Sequence, residues 1–221
     1  MDKRNLVIAG TGLFAELARV YFEEYTDYEV LAFSCHRAYM NKDSLNGLPV
    51  IAIEDIAKNF ASEENDVFVA IGYSKMNKVR QRVYEELKVQ GYTFPSFVHP
   101  NVKTWDTTAI GENVFIFEDN TIQPFTRIGN NTILWSGNHI GHHSIIGDHC
   151  FISSHVVISG SCRIGNNVFI GVNATLRDSL NVADETLIGA GALIMKDTQE
   201  KDVYVPQATK RFSKNSEDIG F

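Results

Sequence analysis

From residue 110 onward an aliphatic residue returns at every sixth position: Ile110, Ile116, Ile122, Ile128, Leu134, Ile140, Ile146, Ile152, Ile158, Ile164, Ile170, Leu176, Val182, Ile188 and Ile194. These three residue types make up about a fifth to a quarter of ordinary chains, so an unbroken series of this length in phase is not accidental. Glycine follows the aliphatic at 111, 129, 141, 147, 165, 171 and 189, where it is expected to serve turns with φ > 0. The fourth position after the aliphatic is small or of modest size: Val114, Thr126, Thr132, Ser144, Cys150, Val156, Cys162, Ala174 and Ala192. A strict six-residue period specifies a hexapeptide solenoid, in which each unit makes one short strand and one turn. Three units close a triangular coil with the aliphatic residue inward, and coils stack at roughly 4.8 Å, the ordinary strand spacing. Residues 18 apart therefore lie one above another. Such a coil buries a thin core and leaves flat faces, which points to association through a face.

The first part of the chain follows a different pattern. "NLVIAG" (5–10), "YEVLAFSC" (28–35) and "DVFVAIG" (66–72) read as short buried strands. "LFAELARVYFEEY" (13–25) reads as a helix with Leu13, Leu17, Val20 and Tyr21 on its apolar face, and "KMNKVRQRVYEELKVQG" (75–91) as another, ending at Gly91. "IEDIAKNF" (53–60) is a short helix between them. Alternating strand and helix predicts a small parallel sheet covered by helices. Val98 fits the six-residue phase and Thr104 breaks it, so the division is placed at residues 1–97 and 98–221.

A formal net charge of -7, with no local basic patch, argues against nucleic acid as a partner. Cys35, Cys150 and Cys162 are too few and too dispersed for a disulfide framework or a zinc ribbon. No apolar run approaches the roughly 20 residues that span a bilayer. The start "MDKRNLVIAGTG" lacks the apolar core of a signal peptide, so the chain is expected to be cytoplasmic, with no membrane insertion.

Five of the 7 histidines crowd into "GNHIGHHSIIGDHCFISSH" (137–155). His143, His149 and His155 each fall three residues after an aliphatic, on successive sides of the triangle, so within one chain they cannot converge on a metal. No metal is expected. His139, His142 and His143 flank one turn. One of them can serve as a base with a neighbour orienting it, or all three can be solvated turn residues.

"GTGLFAE" (10–16) follows a strand, opens a helix and matches the G-x-G-x-x-A form of a dinucleotide fingerprint. The second strand ends Phe33-Ser34-Cys35-His36, without the acid that a nicotinamide dinucleotide's ribose would need. That favours another phosphate ligand at the helix N-terminus.

The run "HIGHHSIIGDHCFISSHVVISGSCRIGNNVFIGVNATL" (139–176), with "LIGAGALIMKD" (187–197) after it, resembles the sialic-acid O-acetyltransferase-like family of bacterial nucleotide-sugar acetyltransferases. The resemblance extends over nearly the whole chain. It implies an α/β Rossmann-like N-terminal domain joined to an all-β left-handed parallel β-helix. It further implies acetyl-CoA-dependent N-acetylation of a nucleotide-linked 4-amino-4,6-dideoxy sugar, for surface glycan synthesis, by a homotrimer that holds acetyl-CoA between neighbouring β-helices.

By this resemblance His142 takes the position of the general base. His143 stands where an acidic residue is usual, Ser144 where cysteine is frequent, and Phe151 where a second histidine is often found. Gly160, Val172, Gly189, Ala190 and Gly191 would line the acetyl-CoA groove, with Lys196 on a phosphate. The nucleotide would lie against Gly10, Thr11, Gly12, Leu13 and Phe14, the strand end at Ser34, and Gly72-Tyr73. Phe14 stands where the family often has histidine. Two alternatives remain at this stage: O-acetylation of a sugar hydroxyl, and a non-catalytic trimeric binding protein, which the missing acid at 143 would suit.

Overall fold

The computed structural model describes residues 4–219. The N-terminal part is built from β1 (Arg4–Ala9), α1 (Leu13–Tyr25), β2 (Tyr28–Cys35), β3 (Ser44–Leu45), β4 (Leu48–Ala52), α2 (Ile56–Asn59), β5 (Asn65–Val69) and α3 (Lys78–Val89). Its sheet has the order β3-β4-β2-β1-β5, with β1, β2, β4 and β5 parallel and β3 antiparallel to β4. The β3–β4 hairpin turns at Asn46-Gly47, both at positive φ, an Asn-Gly signal that a simple strand-helix alternation passes over.

The face of α1 differs from the sequence expectation. Leu13 is 81% exposed and Val20 60%, while Ala15, Ala18 and Phe22 are fully buried. Two alanines let the helix lie close on the sheet, and Phe22 fills the space beyond them. Leu13, Leu17 and Val20 are left outside, while Tyr21 packs as expected, against Phe97, Phe115 and Phe117.

The solenoid begins at β6 (Phe97–Val98), which already pairs with Phe115–Ile116 one coil on. Fifteen two-residue strands, β7 to β21, then recur every six residues from Ala109–Ile110 to Leu193–Ile194, and β22 (Val203–Tyr204) closes the stack. All solenoid pairings are parallel with an offset of 18 through β21, as in Ile128↔Ile146. The fold is a left-handed parallel β-helix behind a Rossmann-like domain. It has three faces. The first carries Ala109, Arg127, Ile145, Arg163 and Asn181 outward; the second Phe97, Phe115, Ile133, Phe151, Phe169 and Leu187; the third Thr121, His139, Val157, Thr175 and Leu193. Inside, the in-phase aliphatics from Ile116 to Ile194 are at most 3% exposed. Truncating one of them to alanine is expected to cost about 2–5 kcal/mol.

Each turn between faces places one residue in the left-handed region, at 113, 119, 125, 131 and onward in steps of six to 191. Asparagine and histidine tolerate this conformation better than most side chains, which accounts for His143 (φ 58), His149 (φ 62) and His155 (φ 58). The glycines that follow the aliphatics do not have this conformation, contrary to expectation. They are small because adjacent coils touch there: a β-carbon on Gly141 would stand 2.5 Å from the Gly160 nitrogen.

The N-terminal domain sits on the second face, and the two share a core in which Phe22, Phe33 and Phe68 meet Phe97, Phe115, Phe117 and Phe151. Among the described residues no helix is long and apolar enough to cross a membrane.

Candidate active site

His142 lies at the turn that leads from the third face to the first. Its backbone N–H donates to Gln123 Oε1 at 2.8 Å. Its ring meets that of His143 with Nδ1 to Nδ1 at 3.1 Å. His143 is itself held on two sides. Its left-handed backbone donates its N–H to the Pro124 carbonyl at 3.2 Å, and its ring stacks on Phe125 with centroids 4.6 Å apart. One ring must donate and the other accept across the Nδ1 pair. When His142 carries the Nδ1 proton, His143 Nδ1 accepts it, and His142 Nε2 is left with a free lone pair. His143 then does what an orienting carboxylate does elsewhere: it fixes tautomer and ring angle. Among the described residues neither imidazole forms an ion pair with a carboxylate.

His142 Nε2 lies over Gly160, one coil on. A β-carbon there would stand 2.8 Å from both Nε2 and Cε1. The absence of a side chain at Gly160 therefore lets the imidazole edge lie close on the next coil. Lys196 lies in the same stack two coils further on and is exposed. His139 points outward from the third face and is half-buried, paired in register with Thr121 and Val157. It is not in contact with the His142–His143 pair.

The other residues expected to hold acetyl-CoA fall elsewhere. Val172 and Ala190 stack one coil apart at the turn from the second face to the third, flanked by Gly189 and Gly191 (φ 73). Within one chain the third face separates them from His142. Val172 adjoins the N-terminal domain instead, and Gly189 lies against Tyr204 to Pro206. Tyr73 packs edge-on against Phe151 at 5.0 Å and at a tilt against Phe169 at 4.9 Å. Together with Trp135, Ser153, Ser154 and Val172, Tyr73 and Phe151 line an apolar hollow of about 240 Å³. A larger hollow of about 430 Å³ lies between Trp105 and Pro124 and reaches His142 only through Gln123.

At the first turn Gly10 has φ +149 and donates its N–H to the Ser34 carbonyl at 2.7 Å. A side chain there would run into the Ala70 carbonyl. The Gly12 carbonyl starts α1 by accepting from Ala15 and Glu16, and Thr11 reaches the Cys35 thiol. Leu13 is out in solvent. Two of the expected contact residues have partners within the protein. Ser34 is fully buried and its hydroxyl donates to the Ile51 carbonyl, so Cys35 and His36 are the reachable groups at that strand end. Phe14 turns inward against Phe115 and Phe117 at 5.5 and 6.2 Å, where it fastens the two domains together.

No cysteine is poised as a nucleophile. Burial pushes the Cys150 thiol up to about 12 and raises Cys35 and Cys162 as well. Among the described residues no group of three or more His, Cys, Asp or Glu is placed to hold a metal ion.

Comparison with known proteins agrees with this architecture. Residues 5–87 match the family profile described as the PglD N-terminal domain. Residues 92–187 match the one described as the GMPPB C-terminal domain. No curated protein matches the sequence. Among solved structures, the acetyltransferase domain of PglB from Neisseria gonorrhoeae is 23% identical, with a TM-score of 0.80 over 91% of this chain and 96% of that one. PerB from Caulobacter crescentus, solved with CoA and GDP-perosamine, is 22% identical, with a TM-score of 0.80 over 90% of this chain and 92% of that one. WeeI from Acinetobacter baumannii is 19% identical, with a TM-score of 0.74 over 91% and 95%. At these identities the likeness shows the fold.

Proposed function

We propose that this chain is an acetyl-CoA-dependent N-acetyltransferase of a nucleotide-linked amino sugar, working in the cytoplasm as a homotrimer in surface glycan synthesis. The observation that carries this reading is the His142–His143 pair, which holds an exposed His142 ring against Gly160 with one imidazole nitrogen free of a protein hydrogen-bond partner among the described residues. The likeness to PerB, solved with CoA and GDP-perosamine, supports the choice of donor and acceptor classes.

In this reading residues 1–97 hold the nucleotide through Gly10 to Gly12, the end of β2 and Gly72-Tyr73. Residues 98–221 hold acetyl-CoA. The donor residues lie on two different turns of the triangle, so a neighbouring copy completes the groove: Val172 and Gly189–Gly191 of one copy face His142, Gly160 and Lys196 of the next. A closed ring of three satisfies every such half-site.

Acetyl-CoA supplies the activated acyl group. His142 Nε2 takes the proton from the attacking sugar amine, directly or through water, and returns it to the departing sulfur. His143 keeps its hydrogen bond to His142 Nδ1 throughout and steadies the imidazolium. A backbone N–H beside the thioester would stabilise the carbonyl oxygen as it gains charge. The amide bond forms as the thioester bond breaks, and free thiol appears with each turnover.

The test is thiol release from acetyl-CoA with UDP-, dTDP- and GDP-linked 4-amino-4,6-dideoxy sugars and their 4-hydroxy counterparts. Release with an amino sugar alone is the expected result and also names the carrier. Release with the hydroxy sugar alone would overturn N-acetylation in favour of O-acetylation. Failure to bind acetyl-CoA at all would overturn the enzyme reading.

A further inference from the structure

Among the described residues Arg80, on the first turn of α3, is the largest fully buried side chain, and it has no carboxylate partner. Its guanidinium donates instead to oxygens on both domains. On the N-terminal side Nη1 reaches the carbonyls of Ile71 and Gly72, at 3.3 and 2.9 Å, and Asn77 Oδ1 at 3.2 Å. On the solenoid side Nε reaches the Asn131 carbonyl at 3.1 Å, and Nη2 reaches those of His149 and Cys150 at 2.8 and 3.0 Å. Burial pulls this group down to about 9, which leaves it protonated at neutral pH. A fully desolvated cation facing only neutral oxygens is costly unless each of them is held in place.

What it holds is the segment between β5 and α3. Lys75, Met76 and Asn77 have φ 50, 51 and 63, three successive non-glycine residues in the left-handed region. Such residues visit that region singly, not in runs. The run persists because its far end is tied down: Asn77 Nδ2 donates to the Asn167 and Val168 carbonyls at 3.3 Å each, and the Asn77 N–H returns to the Tyr73 carbonyl at 3.1 Å. Tyr73, inside this loop, is thereby set against Phe151 and Phe169.

We propose that Arg80 is a positioning residue for the acceptor: by bridging the Gly72–Asn77 turn to two coils of the solenoid, it sets the place of Gly72 and Tyr73 where the nucleotide sugar binds. This rests on the acceptor reading given above. Arg80 touches neither substrate. Val172 borders the same hollow as Tyr73, while His142, Gly160 and Lys196 lie on another turn, so the larger effect should fall on the acceptor.

Arg80→Lys keeps the charge but loses the fork that spans both sides. Asn77→Gly suits φ 63 and retains Arg80, yet removes the ties to Asn167 and Val168, and it decides the matter if Arg80→Lys does not fold. In both variants the KM for the nucleotide amino sugar is expected to rise at least about tenfold while that for acetyl-CoA moves less than about twofold. Amide hydrogen exchange, which needs no substrate, should accelerate at least about tenfold across residues 72–77 and stay unchanged in the solenoid strands. Equal rises in both KM values, or exchange that accelerates throughout the chain, would reduce Arg80 to a general stability residue and overturn the proposal. So would unchanged exchange over 72–77. If the unaltered protein transfers acetyl to no nucleotide sugar, the functional reading falls on that result alone, and the exchange experiment still judges whether Arg80 sets the turn.

Discussion

His143 and His149 occupy the same place in successive hexapeptides and have nearly the same backbone, φ 58 and 62. Their surroundings are opposite. The turn of His149, with Asn113, Asn131, Asn167 and Glu185 stacked in the same position on neighbouring coils, is the strip on which the N-terminal domain docks. Asn113 pairs with the backbone of Val69, Asn167 with Gln81, and Glu185 with Lys78. His149 is 9% exposed, accepts from Asn131 Nδ2 at Nδ1, and lies edge-on to Tyr84 at 5.7 Å. The turn of His143, stacked with Phe125, Ser161 and Ser179, has no domain over it, and its imidazole is exposed beside His142. A repeating backbone thus supplies equivalent positions, and what covers each turn decides whether its side chain is buried between domains or left to solvent.

The contrast breaks most sharply at the open turn. His142→Ala removes a positioned base, and turnover should fall by ~10²–10⁴ while acetyl-CoA still binds. Steady-state thiol release together with calorimetric titration of acetyl-CoA checks this. Near wild-type turnover would remove His142 from the mechanism. The docked turn should answer in stability instead. Asn113 accepts from the Val69 N–H at 2.7 Å and donates to its carbonyl and to Asn131 Oδ1. Asn113→Ala leaves those buried groups unpaired and forces alanine into a left-handed turn, a loss of about 2–4 kcal/mol. Urea unfolding should record it, and Asn113→Gly, which relieves only the backbone part, should recover about 1 kcal/mol of it. If Asn113→Ala lowered turnover per folded molecule as much as His142→Ala does, the division of labour between the two turns would be wrong.

A smaller effect sharpens the role of the second imidazole. His143→Ala should lower turnover about tenfold, less than loss of the base itself, because His142 keeps its lone pair but loses its fixed orientation. His143→Asp restores an acceptor that tolerates the left-handed backbone and should return turnover to within about threefold of the unaltered protein. Steady-state turnover of the two variants separates the roles: equal losses in His143→Ala and His143→Asp would mean that position 143 does not orient His142.

Much of this was readable from spacing, and the rest failed for physical reasons. The solenoid is legible because each coil repeats the same burial problem, so Ile140 and Ile158 repeat the same answer. The position of His142 at a turn follows from that phase alone. The buried face of α1 is not legible in the same way, because 13, 17, 20 and 15, 18, 22 are both helical stripes. Size favours the first, but the sheet lies close enough that Ala15 and Ala18 fit it better. The docking face was written in the sequence at a longer period: Phe97, Phe115, Phe151 and Phe169 recur in steps of 18 or 36, outward on one face only. Arg80 carries no sequence signal of this kind. An arginine on an amphipathic helix is ordinarily a solvated residue, and only the six oxygens around it reveal otherwise.

The smallest effect concerns the docked histidine. Burial lowers the affinity of His149 for a proton below the free value of 6.5, and Arg80 and Lys78 push it the same way, against Asp148 and Glu85. Above 6.5 His149 is neutral in both folded and unfolded chains and has no effect on the balance between them. As the pH falls through that value, the unfolded chain takes up a proton that the folded one refuses. Stability is therefore lost on acidification, starting near 6.5 and levelling off only below the lowered folded value. His149→Asn keeps the left-handed turn and removes the titration. Its urea midpoint should fall less steeply than that of the unaltered protein between pH 6.5 and about 5, and the difference between the two slopes isolates His149 from the carboxylates, which both proteins share. Equal slopes in the two proteins would mean that the N-terminal domain does not shield the docked turn, and the contrast between the two histidines would lose its physical basis.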